Sequence, residues 1–248
     1  MMFEFSANLG FLWKDRPFIE RIAAARAADF PFVEFHDDAQ REDVAAVKAA
    51  LGGTPVVGLN TRMGETSGAA ALPGEEETAK ADIEAAVEVA ETLGARAIHV
   101  LSGRTDDEGA GDRLVARLTE AADRAPDITF LIEPISHAAM PGYFLHTLEQ
   151  AAAIIERVDR RNVKIMFDCF HVQRSGGDVL PRFRAHAAMI GHVQIAGGFT
   201  RAEPDRGELN YPYLLPAFRD AGYDGPIGCE YVPATTVEAG LSWRDAFL

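Results

Sequence analysis

The chain has 248 residues, of which 48% are apolar and 25% are charged, and its formal net charge at pH 7 is −14. This acidity disfavours a nucleic-acid-binding protein, because phosphates require a basic surface, but an anionic small substrate needs only a local positive pocket. No apolar run approaches the roughly 18 residues of a transmembrane helix, and the N-terminus does not resemble a signal peptide. We expect Cys169 and Cys229 to be buried thiols rather than a disulfide, and the protein to be cytoplasmic.

Apolar runs alternate with helical stretches along the chain, which is typical of βα units. In the first half, four runs predict strands: FEFSANL, PFVEFH, TPVVGLN and RAIHVLS. In the second half, four further runs do so: ITFLIE, VKIMFD, MIGHVQIA and GPIGCEY. Helices are predicted between them at 17–28, 41–51, 75–93, 111–124, 145–158, 179–184 and 211–221. The last segment, 235–248, is short for a helix that closes a barrel.

Eight strands in this order and length predict a single (β/α)₈ TIM barrel that spans residues 1–248 as one domain. The competing fold is a doubly wound sheet, which usually carries a glycine-rich phosphate turn after its first strand. Here that turn reads ANLGFLWKD, with one glycine, so a dinucleotide fold is disfavoured. The segment 61–74 is predicted to be a long irregular loop, either a lid that excludes water or a static surface loop.

Polar side chains close four successive strands of the predicted barrel: Glu133, Asp168, Gln194 and Glu230. The C-terminal strand ends of such a barrel open onto one face, where active sites are built. Three carboxylates and an amide oxygen that converge there would repel one another unless a cation lay among them. Because all four ligands are oxygens, they favour a hard divalent ion, Mg²⁺ or Mn²⁺, over zinc. The sequence therefore predicts a metal site formed by these four residues.

Two of the predicted ligands, Glu133 and Glu230, are also the predicted catalytic residues. They come from strands five and eight, so they approach a bound substrate from different sides of the barrel mouth. A 2-hydroxy ketone or aldehyde can bind a divalent ion through its adjacent oxygens, which acidifies the intervening C–H bond. One carboxylate can then remove that proton, and the other can return it at the neighbouring carbon of the enediolate.

Histidines near these ligands are candidates for supporting roles. His171 follows Asp168 in DCFH and is predicted on the loop that leaves strand six. There it binds a substrate oxygen, orients a ligand, or is simply satisfied by backbone groups. His192 is predicted to face inward beside Gln194, and His99 is predicted to be a buried core residue. The register of strands one and two leaves the direction of Glu4 and Glu34 open.

At these residues the chain resembles the hydroxypyruvate isomerase family of xylose-isomerase-like barrels. The resemblance lies in LIEPIS (131–136), PGYFL (141–145), DCFHVQ (168–173), GHVQIA (191–196), EPDRGELNYPYLLPAFRDAGYDGPIGCEY (203–231) and TTVEAGLSW (235–243). It implies a (β/α)₈ barrel that uses a divalent metal to interconvert hydroxypyruvate and tartronate semialdehyde, or related 2-oxotetronates. It also implies that Glu133, Asp168, Gln194 and Glu230 are the metal positions, with the two glutamates as the acid–base pair. The family's loop after strand three usually reads W-A-A-G-E/D-R-G, whereas this chain has NTRMGETSGAAALPG, so we expect a different substrate pocket there.

An acidic substrate of three carbons requires a cation for its carboxylate, which arginine binds in bidentate fashion. Four arginines follow predicted strands at the barrel mouth: Arg62, Arg104, Arg201 and Arg206. Of these, Arg62 and Arg201 are our candidates for substrate binding, together with His171.

Other functions fit parts of the same pattern. A ketose 3-epimerase or an inosose-type dehydratase could use the same two carboxylates on neutral sugars. A metal-dependent nuclease of the endonuclease IV type needs several metals and many histidine ligands, whereas the seven histidines of this chain are scattered along the sequence. A non-catalytic binding barrel is the remaining alternative. We expect a small-molecule substrate and no nucleic-acid or membrane partner, and the sequence leaves assembly into a homo-oligomer open.

Overall fold

The computed structural model describes residues 3–247. Eight parallel strands form a closed barrel in which each strand pairs with the next along the chain and the last pairs with the first. The strands are β1 Phe5–Asn8, β2 Phe32–Phe35, β3 Val56–Asn60, β4 Ala97–His99, β5 Thr129–Ile132, β6 Val163–Asp168, β7 Ile190–Ile195 and β8 Ile227–Cys229. All eight fall within the predicted apolar runs, so the predicted TIM barrel is confirmed.

Helices surround the barrel and return the chain from the end of one strand to the start of the next. They are α1 Phe18–Ala27, α2 Val44–Leu51, α3 Glu76–Leu93, α4 Ala110–Arg124, α5 Leu148–Val158, α6 Cys169–Ser175, α7 Val179–His186, α8 Tyr211–Asp220 and α9 Val237–Gly240. Local chemistry sets several of their ends. The Asp43 side chain accepts a hydrogen bond from the N–H of Ala45 at the start of α2, and Thr147 caps α5 in the same way. Gly94 ends α3 in the left-handed conformation that glycine adopts without strain.

Helix α6 was not predicted, because the seven residues Cys169–Ser175 follow β6 without any intervening turn. The carboxylate of Asp168, at the end of β6, accepts a hydrogen bond from the N–H of Phe170 at 2.8 Å and so caps the helix directly. His171 therefore lies in the first turn of a helix. The predicted loop position of His171 is wrong.

The barrel closes even though its final helical segment is short. Helix α9 has four residues and is followed by a 3₁₀ helix at Leu241–Ala246. Aromatic side chains supply the missing packing, with ring centroids 5.0 Å apart for Phe5 and Trp243 and 6.1 Å apart for Phe3 and Phe247. This cluster packs the start of the chain and β1 against the last turns of the chain, in place of a long closing helix.

The loop 61–74 divides into an exposed part and an anchored part. Residues 64–66 are exposed, whereas Gly68 forms an antiparallel bridge with Ser102, and the N–H of Ala71 donates to the Ser102 carbonyl at 2.8 Å. Gly68 has φ of +101°, and a Cβ there would lie 2.3 Å from the carbonyl oxygen of Leu101, so only glycine fits. Any lid in this loop is therefore confined to its first few residues.

Two further expectations concern the whole chain. Both cysteines are buried free thiols, as predicted. Among residues 3–247, no helix combines the length and the apolar character that crossing a membrane requires.

Candidate active site at the C-terminal face of the barrel

The four predicted ligands lie together at the C-terminal end of the barrel, and all are buried. Asp168 and Gln194 are neighbours in the register of β6 and β7, while Glu133 directly follows β5 and Glu230 directly follows β8. Glu133 and Asp168, together with His171, offer potential ligand atoms that all lie within 4.8 Å of one another. The strand ends thus bring the predicted residues into one centre.

A cation from the chain itself enters this centre. The Nη2 atom of Arg201 lies 3.1 Å from Oδ2 of Asp168 and also pairs with Glu230. The guanidinium is 4.5 Å from the ring centroid of Phe11 and 5.0 Å from that of Phe170. Sandwiched between these rings, it has a fixed position over the acidic groups. Arg201 therefore offsets part of the repulsion that the sequence predicted for this cluster.

Glu230, which directly follows β8, has several partners that stabilise its negative charge. Its Oε1 atom accepts a hydrogen bond from the Asn8 amide at 3.0 Å and lies 3.5 Å from Nε2 of His36, while Oε2 pairs with Arg201. Burial alone would raise the pKa of Glu230, but the charge of Arg201 and the contact with His36 outweigh it and hold this pKa well below its usual range. Glu230 is thus stabilised as a carboxylate.

Around Glu133 and Asp168, the site has too little positive charge to balance the carboxylates. No hydrogen-bond donor reaches Oε1 of Glu133 within the described residues. Burial, and then the negative charges of Glu230 and Asp168, raise the pKa of Glu133 well above its usual range. Burial likewise raises the pKa of Asp168 to about 8, although Arg201 acts against it. Both shifts indicate that this part of the site lacks a counter-charge.

His171 contacts this acidic side from α6. The N–H of Ser136 donates to its Nδ1 atom at 3.3 Å, so the ring proton must lie on Nε2, which is 3.6 Å from both Glu133 Oε1 and Asp168 Oδ2. Burial, and then the nearby charge of Arg201, lower the pKa of His171 to about 3, so the imidazole is neutral. Four of the chain's histidines gather around the centre: His36, His99, His171 and His192. Histidines that are scattered along the sequence thus come together in space.

The sequence interpretation missed two residues of the centre, Asn8 and Glu34. Glu34 is buried on β2 and accepts hydrogen bonds from the Gln194 amide at 2.8 Å, from His192 Nε2 at 2.9 Å and from the Asn8 amide at 3.2 Å. The predicted inward direction of His192 is thereby confirmed, whereas Glu4 is exposed. Asn8 is the last residue of β1, which is the signal that identified the other four residues, whereas its register partner Glu34 stands one residue before the end of β2.

The remaining arginine candidates lie farther out. Arg62 is exposed at the edge of a cavity of about 1030 Å³ that Lys14 and His36 also line, and His36 connects this cavity to Glu230. Arg104 lines a separate cavity of about 450 Å³, and the exposed Arg206 pairs with Glu203 at 3.3 Å. Of the four arginines, Arg201 is thus the one that lies in the centre.

The residues present fit a divalent cation. Four buried carboxylates meet one guanidinium, so the centre is formally three charges negative when they are ionised: Glu34, Glu133, Asp168 and Glu230 with Arg201. Two buried oxygens of the predicted ligands also lack a donor among the described residues, namely Oε1 of Glu133 and Oε1 of Gln194. Buried acceptors without partners are costly, and a bound cation would satisfy them.

A closed parallel barrel with a buried acidic centre at its C-terminal face defines a TIM-barrel enzyme. The sequence model of xylose isomerase-like TIM barrels matches residues 22–247. The chain belongs to this family, as the hydroxypyruvate isomerase resemblance predicted, and it is an enzyme of the isomerase type.

Individual relatives match along nearly the whole chain. A 2-oxo-tetronate isomerase from Cupriavidus necator is 40% identical over 98% of both proteins. The hydroxypyruvate isomerase of Escherichia coli is 36% identical over 99% of this chain and 100% of its own. A crystal structure from Brucella melitensis, described as an AP endonuclease of family 2, superposes with a TM-score of 0.95 at 35% identity over 99% of both chains.

Proposed function

We propose that the protein is a metal-dependent isomerase of a small hydroxylated keto acid, with hydroxypyruvate as its substrate and tartronate semialdehyde as the product. The observation that carries this proposal is the convergence of Glu133, Asp168, Gln194 and Glu230 in one buried centre with unpartnered acceptor oxygens. The printed names of the relatives support the substrate class. A 2-oxotetronate is the alternative substrate. It differs from hydroxypyruvate by a CH₂OH group in place of one hydrogen on the reacting carbon, so the same chemistry serves both.

Glu133, Asp168, Gln194 and Glu230 would hold the cation, which we propose to be Mg²⁺ or Mn²⁺ because the donors are oxygens. When bound, a divalent ion supplies Lewis-acid stabilisation of the negative charge that develops on the substrate oxygens. His171 is less suited to direct ligation with the tautomer seen here, because its Nε2 atom carries the proton toward the carboxylates. That proton suits a hydrogen bond to a substrate oxygen, which is the role we assign to His171.

The proposed reaction moves two protons and needs no external oxidant or reductant. The proton of the hydroxyl-bearing carbon moves to the keto carbon, and the hydroxyl proton moves to the former keto oxygen. We assign Glu230 as the base, because donors from Asn8 and Arg201 keep it ionised and so able to accept a proton. Glu133, which has an oxygen free of donors, is then the group that returns a proton at the neighbouring carbon.

Arg201 is the proposed partner of the substrate carboxylate. Its guanidinium already lies in the centre, and its Nε atom is buried without a hydrogen-bond partner in the described part of the chain. Arg62, at the edge of the large cavity, is proposed to attract the acidic substrate at the entrance. A neutral ketose needs neither cation, so these arginines favour a keto acid over the substrate of a ketose 3-epimerase.

Cleavage of DNA is the competing function that the name of the Brucella melitensis structure raises. Phosphodiester binding depends on a basic surface, whereas this chain carries a formal charge of −14. The acidity therefore favours a small substrate over a nucleic acid.

The test is a substrate panel with metal-free enzyme to which Mg²⁺ or Mn²⁺ is added back. Hydroxypyruvate, a 2-oxotetronate, free ketoses and an abasic DNA duplex are each incubated in D₂O, and products are followed by NMR or electrophoresis. We expect metal-dependent conversion of a keto acid with solvent deuterium at the new C–H position, and loss of metal and activity in Asp168→Ala. Turnover of ketoses or DNA alone, or full metal content in Asp168→Ala, would overturn the proposal.

A further inference from the structure

Glu34 is buried beside the proposed metal ligand Gln194, and three side chains donate hydrogen bonds to it. It accepts hydrogen bonds from Gln194 Nε2 at 2.8 Å, His192 Nε2 at 2.9 Å and Asn8 Nδ2 at 3.2 Å. None of the proposed catalytic steps uses it. A carboxylate buried with three donors, two from β7 and one from β1, fixes the positions of all three side chains.

These bonds decide which way the amide of Gln194 points. An ionised carboxylate can only accept hydrogen bonds, so the NH₂ group of Gln194 must face Glu34. Its Oε1 atom then faces the opposite way, where it is buried and has no donor among the described residues. The amide thus has a free oxygen, rather than an NH₂ group, on the side that faces away from Glu34.

Glu34 acts in the same way on the β8 side. The NH₂ group of Asn8 is shared between Glu34 and Oε1 of Glu230, at 3.2 Å and 3.0 Å respectively. The Oδ1 atom of Asn8 is meanwhile occupied by the N–H of Gly10 at 2.9 Å. Hydrogen bonds therefore fix both the NH₂ group and the oxygen of the Asn8 amide. Through this amide, Glu34 helps to position the proposed base, Glu230.

The backbone of β8 makes room for this carboxylate. A Cβ atom built at Gly228 would lie 2.6 Å from Oε1 and 2.8 Å from Oε2 of Glu34, and 2.8 Å from Cγ of Gln194. These distances are shorter than ordinary Cβ contacts, so a side chain at position 228 would displace Glu34 and Gln194 from the space that they use. The barrel is shaped locally around this pair.

We propose that Glu34 is a positioning residue that sets the orientation of the Gln194 amide, so that Oε1 of Gln194 faces the cation. This inference rests on the proposed function, because it presumes that the cation lies where the ligand oxygens converge. Without the acceptor at position 34, the amide of Gln194 can turn over and direct its NH₂ group at the metal, which repels a cation. Loss of such an orienting partner typically lowers metal affinity about 10–100-fold.

The test is calorimetric titration of Mn²⁺ into metal-free protein for the wild type and a series of variants. Glu34→Gln removes the acceptor-only group, and Glu34→Asp keeps the charge but withdraws the carboxylate from Gln194 by one methylene. We expect both to bind Mn²⁺ about 10–100-fold more weakly than the wild type. Glu4→Gln, which changes an exposed glutamate, is the matched control and should leave the affinity unchanged.

A second change separates orientation from general damage. Adding Gln194→Glu to Glu34→Gln replaces the amide with a carboxylate, which presents an oxygen on either side and can accept from the amide introduced at position 34. We expect this double variant to regain Mn²⁺ affinity to within a few-fold of the wild type. Gly228→Ala, which displaces the carboxylate without removing it, should weaken binding as Glu34→Asp does, and this substitution provides a further test if Glu34→Gln does not fold.

The outcomes distinguish this inference from the proposed function. Wild-type protein that binds no Mn²⁺ overturns both. Wild-type protein that binds Mn²⁺ with the same affinity as Glu34→Gln and Gly228→Ala overturns the role of Glu34 alone. Weak binding by Glu34→Gln with normal binding by Glu34→Asp would show that charge, and not amide orientation, is what Glu34 contributes.

Discussion

Glu34 and Glu133 are both 4% exposed and lie at the inner ends of strands in the same barrel, yet their surroundings differ. Glu34 receives donors from three side chains, whereas Glu133 has an oxygen that no donor of the described chain reaches. Burial is therefore equal, and the supply of donors is what separates them. A buried carboxylate with all its donors organises its neighbours, while one without them has free acceptor capacity for a ligand.

The largest effect that this comparison predicts is on turnover. Glu133→Gln and Glu230→Gln keep the size of each side chain but remove the group that titrates. Because general acid–base steps contribute about 10²–10⁴-fold, each variant should lose at least that factor in kcat for its keto acid. Steady-state kinetics with metal content measured on the same samples provides the test. Near-normal turnover in both metal-loaded variants would contradict the assignment of the pair.

Arg201→Met should change metal-free stability and metal affinity in opposite directions. The guanidinium is paired with Asp168 and Glu230, and removing one partner of a largely buried ion pair costs about 3 kcal/mol of unfolding free energy. The same change removes a cation that competes for these carboxylates, so Mn²⁺ should bind more tightly. Denaturant unfolding with EDTA and calorimetry measure the two quantities.

Arg62→Met is the matched control, because Arg62 is exposed at the edge of the large cavity. It should leave both metal-free stability and Mn²⁺ affinity unchanged. Weaker Mn²⁺ binding by Arg201→Met would show that Arg201 organises the metal site instead of competing with the ion.

The stability of the metal-free protein should fall as pH rises from about 4 to about 8. Burial raises the pKa of Asp168 from its ordinary 3.8 to about 8, so between these values the folded state holds a proton that the unfolded chain has released. Unfolding then releases a proton, and the free energy of unfolding decreases with pH across this window. The raised pKa of Glu133 acts in the same direction.

Thermal unfolding in EDTA at a series of pH values measures this slope, and Asp168→Asn provides the comparison because it cannot titrate. Its slope should be shallower than that of the wild type. Saturating Mn²⁺ should reverse the trend, because metal binding requires deprotonated ligands. Equal slopes for wild type and Asp168→Asn would contradict the raised pKa.

The smallest expected effect is in the loop 61–74. Residues 64–66 are exposed, whereas Gly68 and Ala71 are hydrogen-bonded to neighbouring backbone. If the exposed part covers the site when substrate binds, hydrogen exchange should slow at 62–66 and stay unchanged at 68–71. Unchanged exchange in both parts at saturating metal and substrate would favour a static loop.

Much of the fold could be predicted from the sequence, because strands of a parallel barrel are buried on both faces and therefore consist of apolar runs. All eight strands were predicted in this way. Helix α6 was not predicted, because Asp168 is both the last residue of β6 and the N-cap of the helix, so no turn residues mark the boundary. Closure of the barrel by the rings of Phe5 and Trp243 was also invisible, since aromatic contacts across 238 positions leave no local pattern.

The candidate site was predicted only where a polar residue stands at the end of a long apolar run. Glu34 stands in a strand of four residues, whose direction depends on a register that the sequence alone does not specify. The entry of Arg201 into the centre depends on the path of a loop in which this residue adopts a positive φ of 56°. Loop geometry of this kind has no periodic signature, so the sequence could not show that Arg201, rather than Arg62, enters the centre.

Gly228 has a consequence for how this sequence can change over evolutionary time. Because a side chain at position 228 would enter the space of the Glu34 carboxylate, glutamate at 34 favours glycine at 228, whereas glycine at 228 leaves residue 34 free to change. A descendant that acquires alanine at 228 displaces the carboxylate unless residue 34 becomes shorter in the same lineage. The order of substitutions therefore matters: a change at 34 opens position 228 to larger residues, and the reverse order disturbs the site first.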